Sequence, residues 1–155
     1  MAGGRNRRVT YVILAVICLI GAAAAGGVWW LHGRASASLP IESGRVRLAG
    51  LDAPVTVSRD GLGIPTIAGR SREDVSRALG FVHAQERFFQ MDLMRRAAAG
   101  ELAEIVGAAV LDMDLEVRIH RFRHRAGLVL EGQDETHRRV LEAYAEGVNA
   151  GLAAL

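Results

Sequence analysis

Residues able to do chemistry are few in this sequence, and their spacing decides what each could do. His120 and His124 stand four apart. On one helix face, two imidazoles at that spacing would bind zinc if a third ligand joined them. The first has no glutamate beside it and Arg flanks both, so the pair reads as a solvated face. Asp112 and Asp114 resemble the start of a calcium loop but lack its glycine and distal glutamate, and helix capping around Asp114 is the better reading. His83 sits among apolar residues and reads as a half-buried side chain. Ser38 follows Ala35-Ser36-Ala37, a possible signal-peptidase site. Cleavage there would make Ser38 an N-terminal nucleophile, with its own α-amine, of pKa about 8, as base. Leu39 and Pro40 instead continue a linker, with no oxyanion-hole pattern nearby. No Gly-x-Ser-x-Gly elbow, phosphate loop, Cys-x-x-Cys or His-Glu-x-x-His motif occurs.

The densest cluster is Gly80-Phe81-Val82-His83-Ala84-Gln85-Glu86-Arg87-Phe88-Phe89-Gln90-Met91-Asp92-Leu93-Met94-Arg95-Arg96. Groups suited to bidentate hydrogen bonds are spaced among large apolar ones. Glu86 and Gln90 are four apart, as are Asp92 and Arg96, whereas Arg87 reaches Asp92 only through a partner or a bend. Such a helix belongs inside a larger body, with guanidinium and carboxylate groups paired. By its chemistry it is structural, not catalytic.

The elements that carry these residues follow from periodicity. Val55 and Val57 alternate with polar residues, Arg59-Asp60-Gly61 turns, and Ile64-Pro65-Thr66-Ile67 resumes an extended pattern. This predicts a β-hairpin with its loop around Asp60–Gly63 and Pro65 at an edge or bulge. Two strands alone are marginal, so the hairpin needs a wider sheet. Ser71, with Asp74 three residues on, signals a helix start. Val75, Leu79, Val82, Phe89 and Leu93 continue the helical period; Gly80 weakens it and Gly100 ends it. A short turn over Glu101–Val106 closes at Gly107. A helix is predicted over Asp114–Leu130. Asp134 caps a last helix with Val140, Leu141, Tyr144, Val148 and Leu152 along one stripe. The sequence stops at Leu155 within that pattern, as a truncated fragment would.

The N-terminal 37 residues differ from the rest. Arg5, Arg7 and Arg8 precede an uncharged run from Val9 to Leu31, long enough for a bilayer core of about 30 Å. Trp29 and Trp30 favour an anchor, while the Ala-Ser-Ala sequence favours a cleaved signal. Both readings export the rest of the chain and keep the N-terminus inside. All nineteen basic residues are Arg. Beyond Ala37, fifteen of them face seventeen acids, so the formal charge of +2 misdescribes the exported part and argues against a nucleic-acid partner. The single cysteine, Cys18, lies in the apolar run, which leaves no intramolecular disulfide. The expected organisation is a signal or anchor over residues 1–37, a linker and lead-in strand over 38–54, and the start of a truncated domain over 55–155.

Three stretches together resemble the penicillin acylase family of N-terminal nucleophile amidohydrolases. They are Val57-Ser58-Arg59-Asp60-Gly61-Leu62-Gly63-Ile64-Pro65-Thr66-Ile67, then Gly80–Arg96 with Gly100-Glu101-Leu102-Ala103-Glu104 and Gly107, and Tyr144-Ala145-Glu146-Gly147-Val148-Asn149-Ala150. Thr66 stands where that family often has His, and Glu86 where it often has Asp. The resemblance implies an α+β fragment of an αββα fold: membrane helix, short hairpin, then mostly helices. It implies an exported precursor that cleaves itself into α and β chains. The new N-terminal residue of the β chain would attack the amide carbonyl of a small N-acyl substrate. It assigns Arg59, Asp60, Gln85, Glu86, Arg87, Gln90, Asp92, Arg95, Arg96, Glu104 and Asn149 to the family's structural motif and none of them to catalysis. Nucleophile, oxyanion groups, acyl pocket and the calcium-binding glutamate of many members would lie beyond Leu155. The expected partners are the downstream β chain and, through residues 9–31, a membrane. No cofactor is expected in this segment. A membrane-tethered, non-enzymatic module is the alternative.

Overall fold

The computed structural model describes residues 3–37 and 39–155, with side chains from Tyr11 onward except those of Val12 and Ala37. Ser38 and the side chains of Arg5, Arg7 and Arg8 lie outside the described residues. The chain divides into two units between Leu39 and Pro40.

The first unit is one helix, α1 (Gly3–Ala37). Its Ile13–Ser36 stretch has a mean hydropathy of 2.1 with no part buried, long and apolar enough to cross a membrane. A signal sequence has the same length and composition. The helix runs through the Gly- and Ala-rich residues 21–27 without a break and extends past Leu31. Near its end the Arg34 guanidinium lies 5.3 Å from the Trp30 ring centroid, a cation–π pair.

In the second unit, no strand forms over residues 39–54, and the hairpin begins at Thr56, one residue after the expected Val55. β1 (Thr56–Arg59) pairs antiparallel with β2 (Pro65–Ala68), Val57 opposite Ile67 and Arg59 opposite Pro65. The long helix α2 (Arg72–Ala99) comes next. Ser71 is extended and its Oγ accepts the Asp74 N–H at 3.0 Å. Asp74 does not reciprocate as a capping box would: its Oδ1 accepts the Asp52 N–H at 2.9 Å. At the other end Gly100 takes the left-handed conformation, φ 69°. Its N–H reaches Ala97 O while Glu101 N–H reaches Arg96 O, which closes a Schellman motif. Beyond it come α3 (Ala103–Val106), a 3-10 turn (Ala108–Val110), α4 (Leu111–Ile119), α5 (Phe122–Glu131) and α6 (Glu135–Ala153).

The core is the crossing of α2 and α6, and it is built on glycine. A Cβ added to Gly80 would lie 2.2 Å from Tyr144 O; one on Gly147 would lie 2.0 Å from Arg77 O, and one on Gly151 2.6 Å from Phe81 O. Each helix therefore presents glycine to the other's backbone. Ala78, Phe81, Val82, Ala84 and Ala143 are buried around this contact, and Ser76 Oγ donates to Val140 O at 2.9 Å. Gly80, expected to weaken α2, is what lets α6 approach. The buried line of α6 is Ala143, Gly147 and Gly151, rather than the bulkier stripe the periodicity indicates, and Leu141 and Leu152 are exposed.

The expected single helix over Asp114–Leu130 is broken. Arg121 is left-handed, φ 52°, and separates α4 from α5. Two anchors on one corner account for the break. Arg118 Nε donates to Gly100 O at 2.7 Å, and Arg123 Nη2 donates to Glu101 Oε2 at 2.6 Å. On an unbroken helix, side chains five residues apart point about 140° away from each other and could not reach adjacent residues. The break also removes the shared face expected for His120 and His124; His120 instead stacks on Phe122.

The glycine contact yields a direct expectation. Gly147→Val should lower the stability of the second unit by about 3 kcal/mol, because the clash is with backbone and only helix separation relieves it. Gly127→Ala, with nothing within 4 Å of the added carbon, should be neutral or gain up to about 1 kcal/mol. Urea unfolding of the two variants measures the contrast.

Candidate functional site

The motif residues form two bonded clusters and one exposed set. In the first, Asp60 Oδ1 accepts the N–H groups of Leu62 and Ile64, each at 2.9 Å, and shapes the hairpin loop. Arg59 Nη1 donates to Gly63 O at 3.1 Å and to Glu86 Oε1. Glu86 is the last residue before a kink in α2, where Arg87 leaves helical geometry at φ −148°, ψ 24°. Gln85 is buried, and its Oε1 accepts the Ile41 N–H at 3.4 Å. Loop, strand and lead-in segment are thus tied to one turn of α2.

The second cluster lies at the far end of α2. Asp92 Oδ1 accepts from Arg95 Nη2 at 2.6 Å and Oδ2 from Arg96 Nε at 2.8 Å; Arg96 also pairs with Glu104. The two guanidinium groups, Arg96 first, hold the Asp92 carboxyl below its ordinary value, and Asp92 and Glu104 in turn raise Arg96. Asp114, 1 % exposed, accepts the N–H groups of Leu102 at 3.1 Å and Ala103 at 2.7 Å. It caps α3 from a distance rather than its own helix, and so satisfies donors that a helix start leaves open.

Arg87, Gln90 and Asn149 are exposed. Arg87 comes within 3.8 Å of Glu86, while the bend it occupies does not bring it to Asp92, which Arg95 and Arg96 hold. Among the described residues Gln90 and Asn149 make no side-chain hydrogen bond. Asn149 does share with Asp92, Arg95, Phe88 and Val148 a depression of about 400 Å³.

Sequence reasoning missed Arg77, which pairs with Glu146 across the helix crossing, and the trans-capping role of Asp114. The Gly147 and Gly151 spacing of four, continuing from Ala143, was the available signal for close helix approach. His83 Nδ1 lies 3.0 Å from Tyr144 Oη, again across the crossing.

Chemically, these clusters hold a scaffold. Among the described residues no three of His, Cys, Asp or Glu gather as metal ligands. The sequence profile of the family described as penicillin amidase matches residues 54–155. Penicillin acylase 2 proenzyme of Pseudomonas sp. (strain SE83) is 46 % identical over 117 residues, 76 % of this chain and 15 % of that protein. Acyl-homoserine lactone acylase QuiP of Pseudomonas fluorescens (strain Pf0-1) is 40 % identical over 135 residues, 84 % of this chain and 16 % of that protein. The solved structure of a thermostable penicillin G acylase from Alcaligenes faecalis superposes with a TM-score of 0.58 at 30 % identity, covering 63 % of this chain and 52 % of that one. The chain belongs to the penicillin amidase family. It spans about 15 % of the length of these curated relatives.

Burial, then the nearby Arg87 charge, holds His83 below the ordinary imidazole value, with Glu86 opposing. The folded state therefore binds this proton less well than the unfolded one. Stability should be full above about pH 6.5 and fall as the pH drops below it toward the folded value. Asp74, lowered chiefly by the Asp52 N–H, shifts stability only below about pH 4. His83→Gln should flatten the first decline and leave the second, as read from urea midpoints across pH.

Proposed function

We propose that this chain is the opening part of an exported amidohydrolase precursor that cleaves the acyl group from a small N-acyl amide. The observation that carries the reading is the match of residues 54–155 to the penicillin amidase family, with relatives named as acylases and a proenzyme. The nucleophile belongs to a downstream β chain, exposed as a new N-terminus by self-cleavage, with its own α-amine as base. The residues described above position and do not react. Arg59 with Glu86, and Asp92 with Arg96 and Glu104, brace the α-chain helices against which the β chain would fold, within an αββα body.

The surface supports a missing partner. Leu62 is 86 % exposed and Ile119 78 %, and Phe89, Met94 and Val129 are exposed as well. Large apolar side chains in such number are costly to leave in water and mark surfaces that another body covers. Calcium, if the intact enzyme binds it, would need ligands from outside the described residues, because no three carboxylates converge here. The apolar helix α1 supports export, as tether or as signal.

Expression of the natural reading frame tests this. The expected product is a precursor that splits at an internal Ser, Thr or Cys and releases carboxylate from N-acyl amides. Replacing that residue with Ala should abolish both events, while Ser38→Ala should leave them unchanged. A native protein with no downstream chain and no amidase activity would overturn the proposal in favour of a tethered non-enzymatic module.

A further inference from the structure

The apolar helix α1 carries aromatic rings near both of its ends, and their spacing matches a bilayer. Tyr11 follows Arg8 by three residues, and Trp29 and Trp30 precede Arg34. All three rings are exposed. Trp29 stands eighteen residues after Tyr11, about 27 Å along a helix that rises about 1.5 Å per residue. The hydrocarbon core of a bilayer is about 30 Å thick, and phenol and indole rings settle at its two borders. Between Tyr11 and Trp29 no side chain is charged. Arg34 is the next arginine after Arg8, and its guanidinium lies over the Trp30 ring. From there it keeps its charge in water while its stem follows the helix.

A cleaved signal and a lasting anchor make different demands on such a segment. A signal needs an apolar stretch of about 7–15 residues followed by a small-residue cleavage site. It has no need of aromatic rings at both borders of the membrane. A peptide read through its backbone is bound extended, as an added strand. Here Ala35-Ser36-Ala37 is the last turn of α1. Leu39 N–H donates to Ser36 O at 3.3 Å, a hydrogen bond that reaches across the peptide bond a signal peptidase would cut. The helix also passes Gly33 without a break, so nothing separates the motif from the spanning stretch.

We propose that α1 is retained in the mature protein as a single membrane span in one register, uncut at Ala37. Tyr11 sits at the cytoplasmic border, Trp29 and Trp30 at the outer one. The partner surface is the lipid bilayer itself. The inference rests on the export reading above and decides what that reading leaves open. Tyr11 takes the cytoplasmic side because Arg5, Arg7 and Arg8 precede it, against Arg34 alone just beyond Trp30. The single cysteine marks the depth. Cys18 lies seven residues beyond Tyr11, about 10 Å inside the core, and is exposed on the helix surface, where lipid covers it. Ser36 lies six residues beyond Trp30, about 9 Å outside the core.

Two measurements on the protein from the natural reading frame, in its own membranes, test this. The intact mass of the chain that carries α2 should include α1, and that chain should stay with the membranes through an alkaline carbonate wash. A chain that begins at Ser38, or one that washes off, overturns the proposal. Labelling of intact cells with a membrane-impermeant maleimide tests the register. Cys18 should stay unlabelled until detergent is added. In the double variant Cys18→Ala, Ser36→Cys, position 36 should be labelled at least about tenfold faster than Cys18 is in the unaltered protein before detergent. Equal labelling of the two positions refutes the register. A protein without amidase activity fails the proposed function, while its mass and labelling still decide this inference.

Discussion

Two helices in this chain touch backbone to backbone, and most of the second unit is arranged around that contact. Gly80 on α2 and Gly147 and Gly151 on α6 leave no room for a side chain. The gain is dense packing of main-chain atoms, each pair weak but many acting together. Close approach also sets what can span the crossing. Ser76 reaches Val140 O, Arg77 reaches Glu146, and His83 reaches Tyr144 Oη. With α2 fixed, its outer surface can hold the hairpin through Arg59 and Glu86, and its far end can hold α3 through Arg96 and Glu104.

Much of this arrangement was legible from residue types. The hairpin follows from alternation around Asp60–Gly63, and the ends of α2 from Ser71 and Gly100, because caps and turns are decided by local chemistry. The bonding of Asp92 to Arg96 follows from helical spacing. What was not legible depends on residues far apart in sequence. The break at Arg121 is imposed by Arg118 and Arg123 reaching one corner near Gly100. Asp114 looks like a cap for its own helix until α3 is seen to start beside it. The bulky stripe on α6 was the natural choice for a buried face, since hydrophobic periodicity rewards size, whereas a backbone contact selects for its absence.

The motif residues divide along the same line. Those with partners inside this chain brace it, and their charges are neutralised locally. Arg87, Gln90 and Asn149 are exposed beside surfaces rich in uncovered apolar side chains.

The glycine crossing is the claim on which the rest stands, and proton NMR of the chain in detergent micelles probes it directly. Cross-peaks between the Hα protons of Gly147 and the Hα of Arg77, and between those of Gly80 and the amide proton of Val148, should be strong, because the backbones are in contact. Intact helical signals for α2 and α6 without those cross-peaks would contradict the account.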